Sequence, residues 1–200
     1  MILISARNVN DAWVQGYELL EKEGIPEKSR NGEVLVAPYP VTTCYEEPRE
    51  RVLFDPGRDC NPYFHLMEAL WMLVGRRDVE FVARYNKRMK DYSDDGKIFH
   101  AAYGYRWRHH WKIDQIQSVI RILAQDQTSR RAYISMWDPD SDLEKSGKDF
   151  PCNVGISFQI HEGRLNMIVF NRSNDIVWGN MGLMLFICQF FKNIFRLLLA

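Results

Sequence analysis

The stretch "VGISFQIHEGRLNMIVFNR", residues 154 to 172, constrains the fold more than any other part of the chain. Two runs of alternating apolar and polar residues flank Glu162-Gly163, and that pattern predicts an antiparallel hairpin with one face turned toward a core. A hairpin alone is marginal in water, so its apolar face requires helices or further strands to cover it.

The covering helices are also legible. "NPYFHLMEALWMLVG" predicts the strongest of them: Asn61 can cap it, Pro62 suits the first turn and Gly75 closes it. Residues 11 to 24 predict another, with Asp11 as N-cap and Gly24 as stop. "DVEFVARYNKRMKDY" reads as a second continuous helix after Gly75. "DQIQSVIRILAQD" reads as a third, with Ile116, Val119, Ile120 and Leu123 on its apolar face. A basic loop, "EKSRNGEVLV", leads into a first strand, and the prolines of "APYPVTTCYEEP" make that segment an edge strand or loop. "RRAYISMW" and "DIVWG" add strands. No repeat, low-complexity run or linker interrupts the 200 residues, so the expectation is one α+β domain with antiparallel or mixed strands packed against long helices.

Composition excludes more than it assigns. Equal numbers of basic and acidic residues, 26 each, argue against a protein that holds nucleic acid through bulk phosphate neutralisation. Any anion must then be gripped by a local cluster. Cysteines 44, 60, 152 and 188 form no C-x-x-C pair and have no histidine at ligand spacing, so neither a metal site nor a disulfide framework is expected, and a cytoplasmic setting fits. The apolar C-terminal run "LMLFICQFFKNIFRLLLA" gathers Gln189, Lys192, Asn193 and Arg196 on one helical face, which predicts a buried or interfacial helix and no bilayer span.

Several residues could carry chemistry. Arg30, the pair Arg130-Arg131, and Arg172 followed by Ser173 all sit where the backbone changes direction. Guanidinium forks at such places can bind phosphate oxygens two at a time, or form ordinary surface ion pairs. Cys152 in "DFPCNVG" is either a small core residue or a thiol whose thiolate attacks an electron-poor carbon. Glu68 stands among apolar neighbours in "HLMEALWML". On the buried side of that helix it could move protons near neutral pH, and on the solvent side it is a plain helix former. "YGYRWRHHWK" interleaves aromatics with cations, but the neutral net charge favours a packed strand or turn with snorkelling arginines over a nucleic-acid surface.

Taken in order, "SRNG", "MEALWML", "AYGYRWR", "IDQI", "DQTSRRAYISMWDP", "FPCN" and "NRSNDIVWG" resemble the thymidylate synthase family, which includes phage-type pyrimidine hydroxymethylases. The resemblance implies that Cys152 adds to C6 of a pyrimidine deoxynucleotide monophosphate. It implies that Arg30, Arg172 and Ser173 hold the 5′-phosphate, and that Arg130 and Arg131 reach the phosphate of a partner subunit. Glu68 would organise water and relay protons at the base. Asp175 would contact the one-carbon donor, 5,10-methylenetetrahydrofolate, while Tyr103 and Trp107 would shape the site. A homodimer with shared sites, formed through a sheet face, follows from the same resemblance, with no nucleic acid, membrane or metal partner.

The sequence also departs from the family pattern. Asn153 follows the cysteine where the synthases carry histidine, and Leu183 replaces the base-reading asparagine, with Asn180 the nearest amide. Met89 and Tyr92 stand where the synthases carry tryptophans that favour reduction to a methyl product, which leans the implied reaction toward a hydroxymethyl product. The resemblance also implies a C-terminal portion that this chain lacks. It therefore allows C5 methylation of dUMP, hydroxymethylation of dUMP or dCMP, or a truncated nucleotide-binding homologue without turnover.

Overall fold

The computed structural model describes residues 1–29 and 32–177. They fall into two compact units, one built from Met1–Pro62 with the segment starting at Asp175, the other from Tyr63–Asn174.

In the first unit, β1 (Ile2–Ala6) pairs in parallel with β4 (Val41–Tyr45), Ile2 opposite Val41 and Ala6 opposite Tyr45. Helix α1 (Val9–Glu23) lies between them in sequence. Its N-cap is Asn8 and not the expected Asp11: the Asn8 carboxamide oxygen accepts from the N–H of Asn10 at 2.9 Å and of Asp11 at 3.1 Å. Asp11 instead sits in the first turn, where its charge suits the helix dipole. Gly24 ends the helix as expected, because a Cβ there would lie 2.3 Å from the Leu20 carbonyl oxygen. The basic loop has a strand on each side: β2 (Ile25–Ser29) and β3 (Gly32–Val36) form an antiparallel hairpin with Ile25 opposite Val36. Ile4, Ala6 and Ala12 make one small core against Leu19 and Tyr45, and Val9 with Leu53 makes another against Trp13 and Cys60.

The second unit holds the larger core. Helix α2 (Pro62–Leu73) buries Phe64, His65, Glu68, Ala69, Trp71 and Met72, a spacing that defines one broad face, and Gly75 follows it at a φ of 75°. The helix expected over residues 78 to 92 is broken. Helix α3 (Val79–Ala83), capped by Asp78, stops within two turns, and a tight turn of 3₁₀ helix spans Lys87–Tyr92. The cause is local: the Asn86 side chain accepts from the Arg88 N–H and holds its own backbone extended. Helix α5 (Gln115–Gln125) begins at Asp114 and buries the expected Ile116, Val119, Ile120 and Leu123.

The sheet of this unit has the order β5-β6-β7, all antiparallel, from Tyr133–Ser135, Asn153–His161 and Arg164–Asn171. Glu162 and Gly163, with φ of 50° and 69°, make the tight turn that the sequence predicted. Ile134, Ile156 and Phe158 face the core, while Tyr133, Ile168 and Phe170 leave an apolar patch on the opposite face. "DIVWG" does not start as a strand: Asp175 to Val177 form a turn in which the Val177 N–H donates to the Asp175 carboxylate at 2.8 Å. The C-terminal run lies outside the described residues, and no described helix is long and apolar enough to cross a membrane.

"YGYRWRHHWK" is neither a strand nor a snorkelling surface. It forms one helical turn, α4 (Tyr103–Tyr105), and then a wide π-type turn over Arg106–His110. No Cβ fits at Gly104, because one there would lie 1.9 Å from the Met72 carbonyl oxygen. The Arg106 side chain is fully buried. It pairs with Asp142 of helix α6 (Pro139–Asp142) through two bonds, Nη1 to Oδ2 at 2.7 Å and Nη2 to Oδ1 at 2.8 Å, and donates to the Met136 carbonyl at 2.6 Å and the His100 carbonyl at 3.2 Å.

Burial alone would raise the Asp142 carboxyl, but hydrogen bonds from Arg106, the Asp138 N–H and His100 outweigh it and hold the group below the ordinary carboxylate range. Its contribution is therefore complete above the unfolded carboxylate pKa of about 4 and is lost as pH falls through the lower folded value. Asp142→Ala strands a buried guanidinium, and urea unfolding at pH 7 should show a loss of roughly 3–5 kcal/mol. The gap between wild type and variant should narrow as the titration is repeated below about pH 4; a constant gap would contradict the assignment.

Candidate active site

Cys152 precedes β6 by one residue and lies half-buried at the end of the hairpin. The register of β6 against β7 shifts between Asn153 and Gly155, so Val154 is the extra residue of a bulge. Its carbonyl accepts from both Met136 at 3.0 Å and Trp137 at 3.2 Å. That bulge twists the strand just where the cysteine leaves the sheet.

Two residues bracket the cysteine. The Arg172 N–H donates to the Cys152 carbonyl at 2.9 Å, and the Arg172 Nε donates to the Pro151 carbonyl at 3.0 Å. The guanidinium carbon stands 5.9 Å from the centre of the Trp137 ring. Among the described residues no acceptor takes up its terminal nitrogens, so the fork is held by one edge and presents the other. On the opposite side the Tyr103 hydroxyl oxygen accepts from the N–H of Cys152 at 3.1 Å and of Asn153 at 3.4 Å. Burial, and next the neighbouring Cys152, push the Tyr103 phenol well above its ordinary range, further than the hydrogen bonds pull it down.

The expected site residues divide clearly. Cys152, Asn153, Tyr103 and Arg172 are brought together. Ser173 follows Arg172 and is exposed. Glu68 is on the buried face of α2, at 9% exposure, which decides the alternative the sequence left open. Trp107 is fully buried, and among the described residues its indole nitrogen has no hydrogen-bond partner, so it sits in the core and not at an open surface. Arg130 and Arg131 are exposed ahead of edge strand β5 and take no part in the bonds around Cys152. Asp175 belongs to the first unit. Arg30 and Asn180 lie outside the described residues. Among the described residues, no three His, Cys, Asp or Glu side chains come together as a metal-ligand set.

Sequence reading missed Asp149, Asp142 and His100, the polar groups packed behind this site. Only Asp149 left a trace, as a carboxylate three residues before the cysteine. Nothing in a linear pattern says which of many acidic residues will meet a buried donor.

A profile of thymidylate synthase matches residues 58–186, which spans the α2 helix, the Tyr103 turn, the Cys152 bulge and Arg172. The chain belongs to the thymidylate synthase family. It is 54% identical over 183 residues to deoxyuridylate hydroxymethyltransferase of Pseudomonas phage M6, covering 91% of this chain and 52% of that one. It is 39% identical over 163 residues to the enzyme of the same name from Bacillus phage SP01, covering 76% and 42%. The chain thus spans about half the length of the curated relatives it matches. The crystal structure of thymidylate synthase from T4 phage superposes with a TM-score of 0.52 at 22% identity, over 64% of this chain and 51% of that one, a likeness of fold. The observed mixture of helices and small sheets agrees with the expected thymidylate synthase-like α+β architecture.

An ordinary tyrosine ionises near pH 10. Because Tyr103 is held above that range, the phenolate absorbance gained by folded wild type up to about pH 11 should equal that of Tyr103→Phe. A smaller gain in the variant would mean that Tyr103 titrates normally.

Proposed function

We propose that this chain takes part in C5 hydroxymethylation of a deoxyuridylate-type nucleotide by way of a covalent adduct on Cys152. The observation that carries this reading is the Cys152 loop itself, with its carbonyls bound by Arg172 and its N–H by the Tyr103 hydroxyl. The names of the two phage relatives above, both deoxyuridylate hydroxymethyltransferases, support hydroxymethyl over methyl transfer. So do Met89 and Tyr92, where the synthases carry tryptophan.

In this reading the outer edge of the Arg172 fork, with Arg30 and Ser173, takes the 5′-phosphate, and that binding positions the base over the cysteine. The Cys152 thiolate adds to C6, which turns C5 into a carbon nucleophile and divides one difficult substitution into easier steps. Glu68 moves protons at the base from the buried face of α2, and Asn153 and Asn180 take the base side. 5,10-Methylenetetrahydrofolate supplies a one-carbon unit at the formaldehyde level, with Asp175 on its side of the site. The C5 proton and tetrahydrofolate would leave, water would add to the transferred carbon to complete the hydroxymethyl group, and breaking of the Sγ–C6 bond would release product. Residues 1–200 belong to a single thymidylate synthase-like domain in this reading. A homodimer forms through the sheet face carrying Tyr133, Ile168 and Phe170, since those exposed apolar side chains are what an interface would cover. Arg130 and Arg131 then serve the partner's phosphate.

Mass spectrometry of the chain with 5-fluoro-dUMP, with and without methylenetetrahydrofolate, tests the reading. A folate-dependent adduct on Cys152 is expected, absent in Cys152→Ser. Unmodified protein from a folded sample that still binds nucleotide would refute it. Arg172→Ala should weaken nucleotide binding by roughly tenfold to a hundredfold, since a charged hydrogen bond contributes about 1.5–3 kcal/mol. Binding within twofold of wild type, measured calorimetrically, would remove Arg172 from the phosphate site.

A further inference from the structure

Asp149 is 5% exposed, yet it forms no ion pair with any described residue. Its carboxylate instead accepts two backbone donors from a distant segment: His100 N–H to Oδ2 at 2.7 Å and Ala101 N–H to Oδ1 at 3.0 Å. Three residues after Asp149 comes Cys152, and two after Ala101 comes Tyr103, whose hydroxyl takes the Cys152 N–H. The segments 149–152 and 100–103 are therefore tied at both ends, and the ties close a ring of eight residues. Burial first, and the neighbouring Asp94 carboxylate to a lesser degree, raise Asp149, so this carboxylate sits where its charge is disfavoured. Asp94 is itself occupied by Lys145 at 2.7 Å and the Lys148 N–H at 2.9 Å. Behind the ring, His100 is fixed through its imidazole to Asp142 at 2.7 Å, and Asp142 is fixed to Arg106.

We infer that Asp149 is a positioning residue for the nucleophile: by holding the His100–Ala101 backbone it sets the Tyr103 hydroxyl against the Cys152 amide, and so fixes where Sγ stands. The inference rests on the reading of Cys152 as nucleophile. The carboxylate is needed because two N–H groups face it from one side. An asparagine of the same shape can accept from only one of them and turns an N–H donor toward the other.

Asp149→Asn, compared with wild type by amide hydrogen exchange, tests the ring without reference to catalysis. The Cys152 and Asn153 amides should exchange about tenfold faster, the scale of one lost hydrogen bond, while Phe158, bonded to the Ala132 carbonyl at 2.9 Å, keeps its wild-type rate. Unchanged exchange at Cys152 and Asn153 overturns the inference. If the substitution loosens the whole unit, Tyr103→Phe reads the ring from its other end. The His100 and Ala101 amides should then lose protection by a similar factor, and their retention overturns it.

The functional arm is the rate of the folate-dependent 5-fluoro-dUMP adduct. It should fall about tenfold in Asp149→Asn while the dissociation constant of the nucleotide stays within twofold, because the Arg172 fork is untouched. Adduct formation at the wild-type rate in a variant that has lost amide protection overturns the positioning role. A wild-type chain that forms no adduct refutes the proposed reaction instead, and the exchange experiment still decides the ring.

Discussion

The Arg106–Asp142 pair is the contact on which the second unit depends. Removing two full charges from water costs several kcal/mol per ion, and only close pairing with further hydrogen bonds offsets that. Arg106 meets the condition by donating to Asp142, Met136 and His100 at once. One guanidinium thus joins the end of β5, helix α6, the π turn and the loop ahead of Tyr103. Gln115 reinforces the same junction, donating to the carbonyls of Arg106 at 3.0 Å and Ser135 at 2.9 Å. Trp107, Ile134, Met136 and Ile156 are fully buried in the same unit, and both side chains of the ion pair are themselves shut off from water, which keeps the pair strong.

The site is built at the edge of this junction. The hairpin presents Cys152 beside a bulge, helix α4 presents Tyr103, and the Tyr103 hydroxyl takes the Cys152 N–H between them. Helix α2 turns Glu68 inward, and no Cβ fits at Gly104 because α4 lies directly against the Met72 carbonyl of α2. Cys152 placed in this way has its backbone donor and acceptor both satisfied.

Much of this was legible in the chain. The hairpin turn at Glu162-Gly163, the apolar face of α5 and the full length of α2 follow from period and capping alone. The errors have local causes: Asn8 outcompeted Asp11 for the cap because its position leaves two N–H groups within reach, and Asn86 broke a helix that apolar spacing alone could not rule out. Strand β1 escaped notice because five residues with two isoleucines carry little signal. Arg106 was misread because arginine in an aromatic stretch is ordinarily exposed, and only a carboxylate 36 positions later makes its burial tolerable.

The sequence by itself determined the family, the 154–172 hairpin and the helices α2 and α5, because ordered motifs and hydrophobic periodicity are local properties of a chain. Tertiary structure alone decided that Glu68 faces inward, that Trp107 is core, and that Asp142, Asp149 and His100 stand behind the site. Those facts depend on which donors and acceptors meet after the chain has folded. Burial makes each of those meetings obligatory, and no one-dimensional pattern records it.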